Sequence, residues 1–267
     1  MTRVVTDGAA DLPEELIASA QVTVVRGPVH LGDRRWQGDV RQFWADLEQG
    51  AQLPATQAPS VEQLVGAYRR DGPVLAVHVA GELSRTVAHA REAAAATSGT
   101  VRVVDTRSLS VGTGLVALAA ARAAQAGADV GHLEAMTVRL VDELHVHALI
   151  DDARLLVQGG RAGLVAAKLG RHTHRHVVAV KGHVIPIRQL RHRSEAIREL
   201  IAHVREHATG GVSNWAVGHG DASDVDEFVE RLASVLGCEP SYVTMLGAPV
   251  GSHVGPRSLV VGFFSEG

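Results

Sequence analysis

The stretch PVLAVHVAGELSRTVAHAREAAAATSGTVRVVDTRSLSVGTG, Pro73 to Gly114, decides the fold class. PVLAVHVAG is a short apolar run bounded by proline and glycine, which reads as a buried strand. ELSRTVAHAREAAAATSG follows as a loop feeding an alanine-rich helix. TVRVVDTRSLSVGTG then repeats the pattern: a strand ending at Asp105, a loop, and a helix over GLVALAAARAAQAG. Strand and helix alternating twice predict a parallel sheet with helices on both faces, an α/β fold. In such sheets ligands sit beyond the carboxyl ends of the strands, so the informative loops follow Val5, Val79 and Val104.

Working outward, RVVTD near the N-terminus reads as a buried first strand ending at Asp7. A helix follows, with Asp11 as cap and Pro13 at its start. VTVVRGPVHL reads as one or two strands interrupted at Gly27-Pro28. DVRQFWADLEQG is an amphipathic helix capped by Asp39 and stopped by Gly50. LPATQAPS reads as a loop, and Ser60 caps the next helix. A helix at about Leu133 to Glu143 leads to a strand in LHVHALI. HVVAVKGHVIPIRQLR predicts a hairpin turning at Lys181-Gly182. SEAIRELIAHVREHATG is a helix with Ser194 as cap. NWAVGHGDASDVDEFVERLASVLG gives strand, turn and helix; PSYVTMLGAPVGSHVGPRSLVVGFF gives strand, loop and strand. The mixture predicts a smaller α+β C-terminal domain, with residues 1–155 forming the first unit and 156–267 the second.

The bulk composition narrows the function classes. With 46% hydrophobic and 21% charged residues, the chain can build a globular core, and at 3% aromatic that core rests on Ala, Val and Leu. So few aromatics argue against a stacking platform for single-stranded nucleic acid, and no DNA-recognition motif accompanies the basic residues. The single cysteine, Cys238, excludes an intramolecular disulfide or a cysteine-cluster metal site. No apolar leader opens the chain and no apolar run is long enough to span a membrane, so a cytoplasmic protein is expected. No acidic residue occurs between Asp152 and Glu195, an interval holding Arg154, Arg161, Lys168, Arg171, Arg175, Lys181, Arg188, Arg191 and Arg193. That asymmetry fits either a solvated basic face or a surface for an anion or acidic partner.

Four local patterns could carry chemistry. Ser84 and Thr86 stand at a helix start, where free N–H groups favour an anion, although a serine there also caps its own helix. Thr56 and Gln57 lie in LPATQAPS. Arg161 follows two glycines, as a carboxylate- or phosphate-reading guanidinium or as an exposed residue after a helix end. His253 sits between glycines and a proline in GSHVGP. The pair His145/His147 and the trio His172/His174/His176 have strand-face spacing, but lack a carboxylate at ligand spacing and are not read as a metal site. Neither a nucleophile elbow, a P-loop nor a dinucleotide fingerprint is present in a suitable context.

In order, VTDGAADLP, PATQAPS, ELSRTVAHA, VDTRSLSVGTG, LLVQGGRAG and GSHVGP make this sequence resemble the DegV family of fatty-acid-binding proteins, from Val4 to about Phe263. The resemblance implies two domains with a long-chain fatty acid between them and no catalytic residues or cofactor of their own. It also implies a fatty-acid kinase as partner, to which the carboxylate is presented for acyl-phosphate formation. Thr56, Ser84, Thr86, Arg161 and His253 match the family's ligand-binding positions; Gln57, Arg85, Gly160 and Gly255 are further candidates for ligand contact. Gln57, Ala58, Arg85, Thr106 and Arg257 depart from the family pattern. Lipid exchange through peripheral membrane contact is a further expectation. From the residues themselves a second reading stays open: a serine-dependent acyl hydrolase or acyltransferase with Ser84 as nucleophile and His253 as base.

Overall fold

The computed structural model describes residues 1–49, 54–69, 71–158, 160 and 174–265. The first strand, β1 (Arg3–Asp7), ends in a 3-10 turn at Gly8–Ala10. α1 (Glu14–Ser19) starts after Pro13 and takes no side-chain cap; Asp11 is spent elsewhere, as shown below. β2 (Thr23–Val25) and β3 (Val29–Leu31) flank the break at Gly27-Pro28. β4 (Arg34–Arg35) precedes α2 (Val40–Glu48), where the Asp39 carboxylate accepts the Gln42 N–H at 2.9 Å. The stop expected at Gly50 lies outside the described residues. β5 (Pro54–Thr56) corrects the loop expected there: it pairs antiparallel with β3, which also pairs with β4. α3 (Val61–Tyr68) begins with a capping box between Ser60 and Gln63.

β6 (Val74–His78), α4 (Thr86–Ala95), β7 (Val101–Asp105), α5 (Val111–Gln125) and α6 (Val130–Glu143) complete the alternation expected of an α/β chain. The four strands form a parallel sheet in the order β2-β1-β6-β7. Helices cover both faces. Val5, Ala76, Leu64, Tyr68 and Ala90 share a core with α3 and α4, while Val4, Leu75, Val77 and Val104 pack with α5 and α6. Neighbouring residues on each strand thus point to opposite cores, as the pleat requires.

A second, mixed sheet has the order β10-β9-β8-β13-β11-β12. Its strands are β8 (His145–Ile150), β9 (Arg175–Lys181), β10 (His183–Leu190), β11 (Asn214–His219), β12 (Tyr242–Met245) and β13 (Leu259–Phe264). β9 and β10 form the expected hairpin, turning at Gly182 with φ +80°. β8 lies N-terminal to residue 155 yet pairs with β9 and β13 inside this sheet. The helices here are α7 (Arg154–Gln158), α8 (Arg193–His207), α9 (Val225–Leu236) and α10 (Ala248–Val254). Two expectations are corrected. Ser194 does not cap α8, which already begins at Arg193. GSHVGP is no open turn: Gly247 starts α10, Pro249 occupies its first turn, and Gly255 ends it at φ +76°. His253 therefore rides on the last turn of a helix.

The two sheets share α5, which touches β1 and β6 of one and β11 and β13 of the other. Its small residues permit this. A Cβ on Gly114 would collide with the Tyr242 hydroxyl and the Ala10 carbonyl, and one on Gly262 would come within 3.1 Å of the Gly112 nitrogen. Gly114→Ala should therefore lower stability by about 1–3 kcal/mol through overpacking. Urea denaturation will check this, and Ala117→Gly on the same helix, which only loses propensity and a methyl contact, supplies the opposite, cavity-forming perturbation.

Candidate functional site

The loops following β1, β6 and β7 converge with β5 and α10 on a narrow, partly open cleft of about 90 Å³. Its walls are mainly aliphatic: Val29, Val79, Leu83, Leu109, Leu156, Val184, Val250 and Val254. Against them stand Thr56, Gln57, Ser84, Thr86, His253 and Asp7.

Thr56 ends β5 and faces α10, placing its Oγ1 2.9 Å from His253 Nε2. Pairing of β5 with β3 sets this geometry, because Thr56 stands opposite Val29, itself a wall residue. At the start of α4 the Ser84 hydroxyl lies 2.8 Å from Thr86 Oγ1 and accepts the Thr86 N–H at 3.2 Å. Ser84 thus closes its own turn while lining the cleft, and the N-cap position of α4 itself is taken by Arg85.

The carboxylates around the cleft are occupied by main-chain donors. Asp7 accepts the N–H groups of Ala9 (2.9 Å) and Val79 (3.0 Å), and its Oδ2 lies 2.9 Å from His78 Nδ1. His78 Nε2 in turn meets Tyr68 Oη at 3.1 Å, in a wholly buried chain. Asp105 accepts from Gly81 and, at 2.8 Å, from the Arg107 N–H. Thr106 keeps the role of a small hydroxyl, donating to the His78 carbonyl at 2.8 Å. These contacts fix the loops after β1 and β6 and leave the hydroxyls of Thr56, Ser84 and Thr86 on the cleft wall.

Four of the five matched ligand positions, Thr56, Ser84, Thr86 and His253, come together here, as does Gln57. Arg161 lies outside the described residues. Gly160 is exposed at φ +72°. Arg85 is exposed at the N-cap of α4, and Gly255 is the C-cap of α10; neither lines the cleft. Arg257, where the family has glycine, adopts φ +60°, the left-handed conformation glycine favours, and turns its guanidinium to Asp151 at 3.5 Å. Asp7, Leu156 and Val184 were not expected as site residues. The position of Asp7 at the end of the first strand was a usable signal, whereas Leu156 and Val184 arrive from the second half of the chain and carried none.

α10 is held to the first half of the chain by Asp11. Its carboxyl accepts the Gly247 N–H at 2.8 Å and the Ser110 hydroxyl at 2.7 Å. Burial raises its pKa to about 7, against the lowering effect of those two bonds. The folded protein therefore keeps a proton that the unfolded chain releases above pH 3.8. This contribution is fully present below pH 3.8 and is lost as pH rises through 7.

A family model described as "Uncharacterised protein, DegV family" matches residues 1–266. The chain belongs to the DegV family. A DegV domain-containing protein of Streptomyces coelicolor is 31% identical, over 97% of this chain and 96% of that one. One of Deinococcus radiodurans is 29% identical over 97% and 96%. Among solved structures, a DegV family protein from Thermus thermophilus, described by its fatty acid binding, superposes with a TM-score of 0.91 at 29% identity, covering 99% of each chain. A protein from Eubacterium ventriosum has the same fold, with a TM-score of 0.91 at 20% identity over 99% of this chain and 98% of that one.

Asp11→Asn keeps the size and both hydrogen-bonding partners but cannot ionise. Its stability relative to the parent should rise by about 2–3 kcal/mol between pH 5 and pH 8, measured by urea unfolding at both values. An unchanged gap would show that Asp11 is not protonated in the folded state.

Proposed function

We propose that the cleft binds a long-chain fatty acid and that the protein presents its carboxylate to a fatty-acid kinase for acyl-phosphate formation, as a cytoplasmic carrier without catalysis of its own. The observation that carries this reading is two hydrogen-bonded pairs, Thr56 with His253 and Ser84 with Thr86, on the wall of one mainly aliphatic cleft. The Thermus thermophilus relative described by its fatty acid binding supports it. Burying about fourteen methylenes at ~0.8 kcal/mol each releases roughly 11 kcal/mol gross. A buried carboxylate without partners would cancel several kcal/mol of that. With its proton on Nε2, His253 donates to Thr56 Oγ1, which frees the threonine hydroxyl to donate to the acid; Ser84 supplies a second hydroxyl. Arg161, at the matching family position, is the cation of the set.

The hydrolase reading fits less well. The hydrogen bonds of Ser84 go to Thr86, while His253 Nε2 serves Thr56, so nucleophile and base are not joined. For the kinase, the docking surface lies on the exposed basic residues of the second half, among them Lys181 and Arg191; Arg154 and Arg188 are exposed too but pair with Asp152 and Glu199. Arg193 is excluded from that role: half buried, it donates to Asp151 (2.7 Å) and to both oxygens of Asp224. Lipid is exchanged through peripheral contact with a membrane; among the described residues no helix is long and apolar enough to cross one.

Denaturing the purified protein and identifying what it releases by mass spectrometry tests the ligand. About one equivalent of fatty acid is expected from the parent and little from Val250→Trp, which fills the cleft. Thr56→Val and Ser84→Ala should each weaken rebinding about ten- to a hundredfold, the worth of one hydrogen bond to a charged group. A folded protein that neither carries nor takes up fatty acid refutes the proposal. Lys181→Glu/Arg191→Glu should slow acyl phosphorylation by the kinase at unchanged lipid affinity; unaltered phosphorylation would remove these two residues from the docking surface.

A further inference from the structure

On β8 the side chains alternate between two cores. Val146, Ala148 and Ile150 join the core shared with α5, to which Val184 and Leu156 of the cleft also belong. Leu149 joins the core under α8 and α9, and His145 and His147 point the same way. There they meet the last turn of α8. His203 and His207, one helical turn apart, bring their rings to 4.7 and 5.1 Å from that of His147 and to 4.4 Å from each other, centroid to centroid.

We infer that His147, His203 and His207 form a binding site for one divalent transition-metal ion of the zinc type. One nitrogen from each ring lies within 4.8 Å of the others. Modest rotation of the side chains brings them to the ~3.3–3.4 Å separation of tetrahedral ligands with Zn–N bonds of ~2.0–2.1 Å. Three imidazoles with no thiolate suit zinc, copper or nickel rather than magnesium or calcium. They leave a fourth position for water or an external ligand.

Two observations point to an ion rather than to a packed aromatic cluster. His147 is 2% exposed, and neither of its ring nitrogens has a hydrogen-bond partner among the described residues. A buried imidazole in that state is costly, and a metal bond removes the cost for one nitrogen. Second, the tautomer of His207 is already set for ligation. Its Nδ1 donates to the His203 carbonyl at 2.9 Å, which leaves the lone pair on Nε2. His203 Nδ1 lies 3.6 Å from Glu206 Oε2, a carboxylate placed to orient that ring. The order His203-Val-Arg-Glu206-His207 is H-x-x-E-H, in which two histidines one turn apart bind zinc in known metalloenzymes. Phe263 packs on His145 and His147, shielding the inner side.

The test is calorimetric titration of the tag-free, full-length chain with zinc chloride, with cobalt(II) absorption as a report on geometry. A tag must be absent because the chain already has 15 histidines. The expected result is one equivalent bound and a tetrahedral cobalt spectrum. His203→Ala and His207→Ala, at half-buried positions on a helix, should each weaken binding at least tenfold, and the double variant should abolish it. His172→Ala/His174→Ala should leave it unchanged. Circular dichroism will confirm that each variant is folded, and His203→Gln, which keeps the side-chain length without an imidazole, should behave as His203→Ala does. Absence of binding at micromolar zinc, or equal binding by the folded double variant, overturns the assignment.

Discussion

The close approach of α5 to both sheets is the constraint on which the rest of the molecule depends. A helix that contacts strands on two sides must carry small residues where the backbones come closest, and Gly112 and Gly114 stand where Ser108, Val146, Tyr242 and the Ala10 backbone crowd it. The buried core is built mainly on Ala, Val and Leu, with Trp44, Trp215, Tyr68 and Phe43 as its largest members. Bringing the sheets together in this way also brings the carboxyl ends of β1, β6 and β7 against α10. The cleft lies along that seam, between loops of the parallel sheet and side chains of the mixed one.

The polar arrangement of the cleft follows one rule: acids hold the backbone, hydroxyls face the cleft. Asp7 and Asp105 sit where catalytic carboxylates are found in many parallel-sheet enzymes, yet both are satisfied by main-chain N–H groups. A free carboxylate there would repel an anionic head group; one neutralised by several N–H donors shapes the loop instead. Asp11 follows the same rule at the other end of α10, where burial drives it towards the neutral acid. The polar side chains this leaves on the cleft wall, Thr56, Gln57, Ser84, Thr86 and His253, are uncharged or titratable.

Much of this was legible in the sequence where the deciding physics is local. The strands β1, β6 and β7, the caps at Asp39 and Ser60 and the β9–β10 hairpin depend on short patterns, and they formed as expected. Failures occurred where a distant partner decides. Pro54–Thr56 has no strand signal of its own and is extended because β3 offers an edge. Asp11 looked like a cap but bonds to Gly247, 236 positions away. Residues 248–254 contain two of the usual helix breakers, but Pro249 falls in the first turn, where it is tolerated, and Trp44 donates to the Leu246 carbonyl just before it. That Thr56, Ser84, Thr86 and His253 share one cleft was legible through ordered motifs rather than chemistry: no spacing rule joins Thr56 to His253.

The same separation in sequence explains why the histidines of β8 read as structural. His145 and His147 alone offer two donors on a strand face, and two donors do not make a site. α8 completes the set, and its placement is governed at its other end. Asp151, just after β8, takes Arg193 at the start of α8 at 2.7 Å, with Arg175 at 3.8 Å and Arg257 at 3.5 Å. Since α8 spans 15 residues, its first and last turns are about 20 Å apart, which is the length of β8. The helix is thus pinned along the strand by an ion pair at one end and by imidazoles at the other. A metal ion in the histidine cluster would strengthen the second pin without entering the cleft, because the alternation of β8 turns His147 away from the core to which the cleft residues Leu156 and Val184 belong.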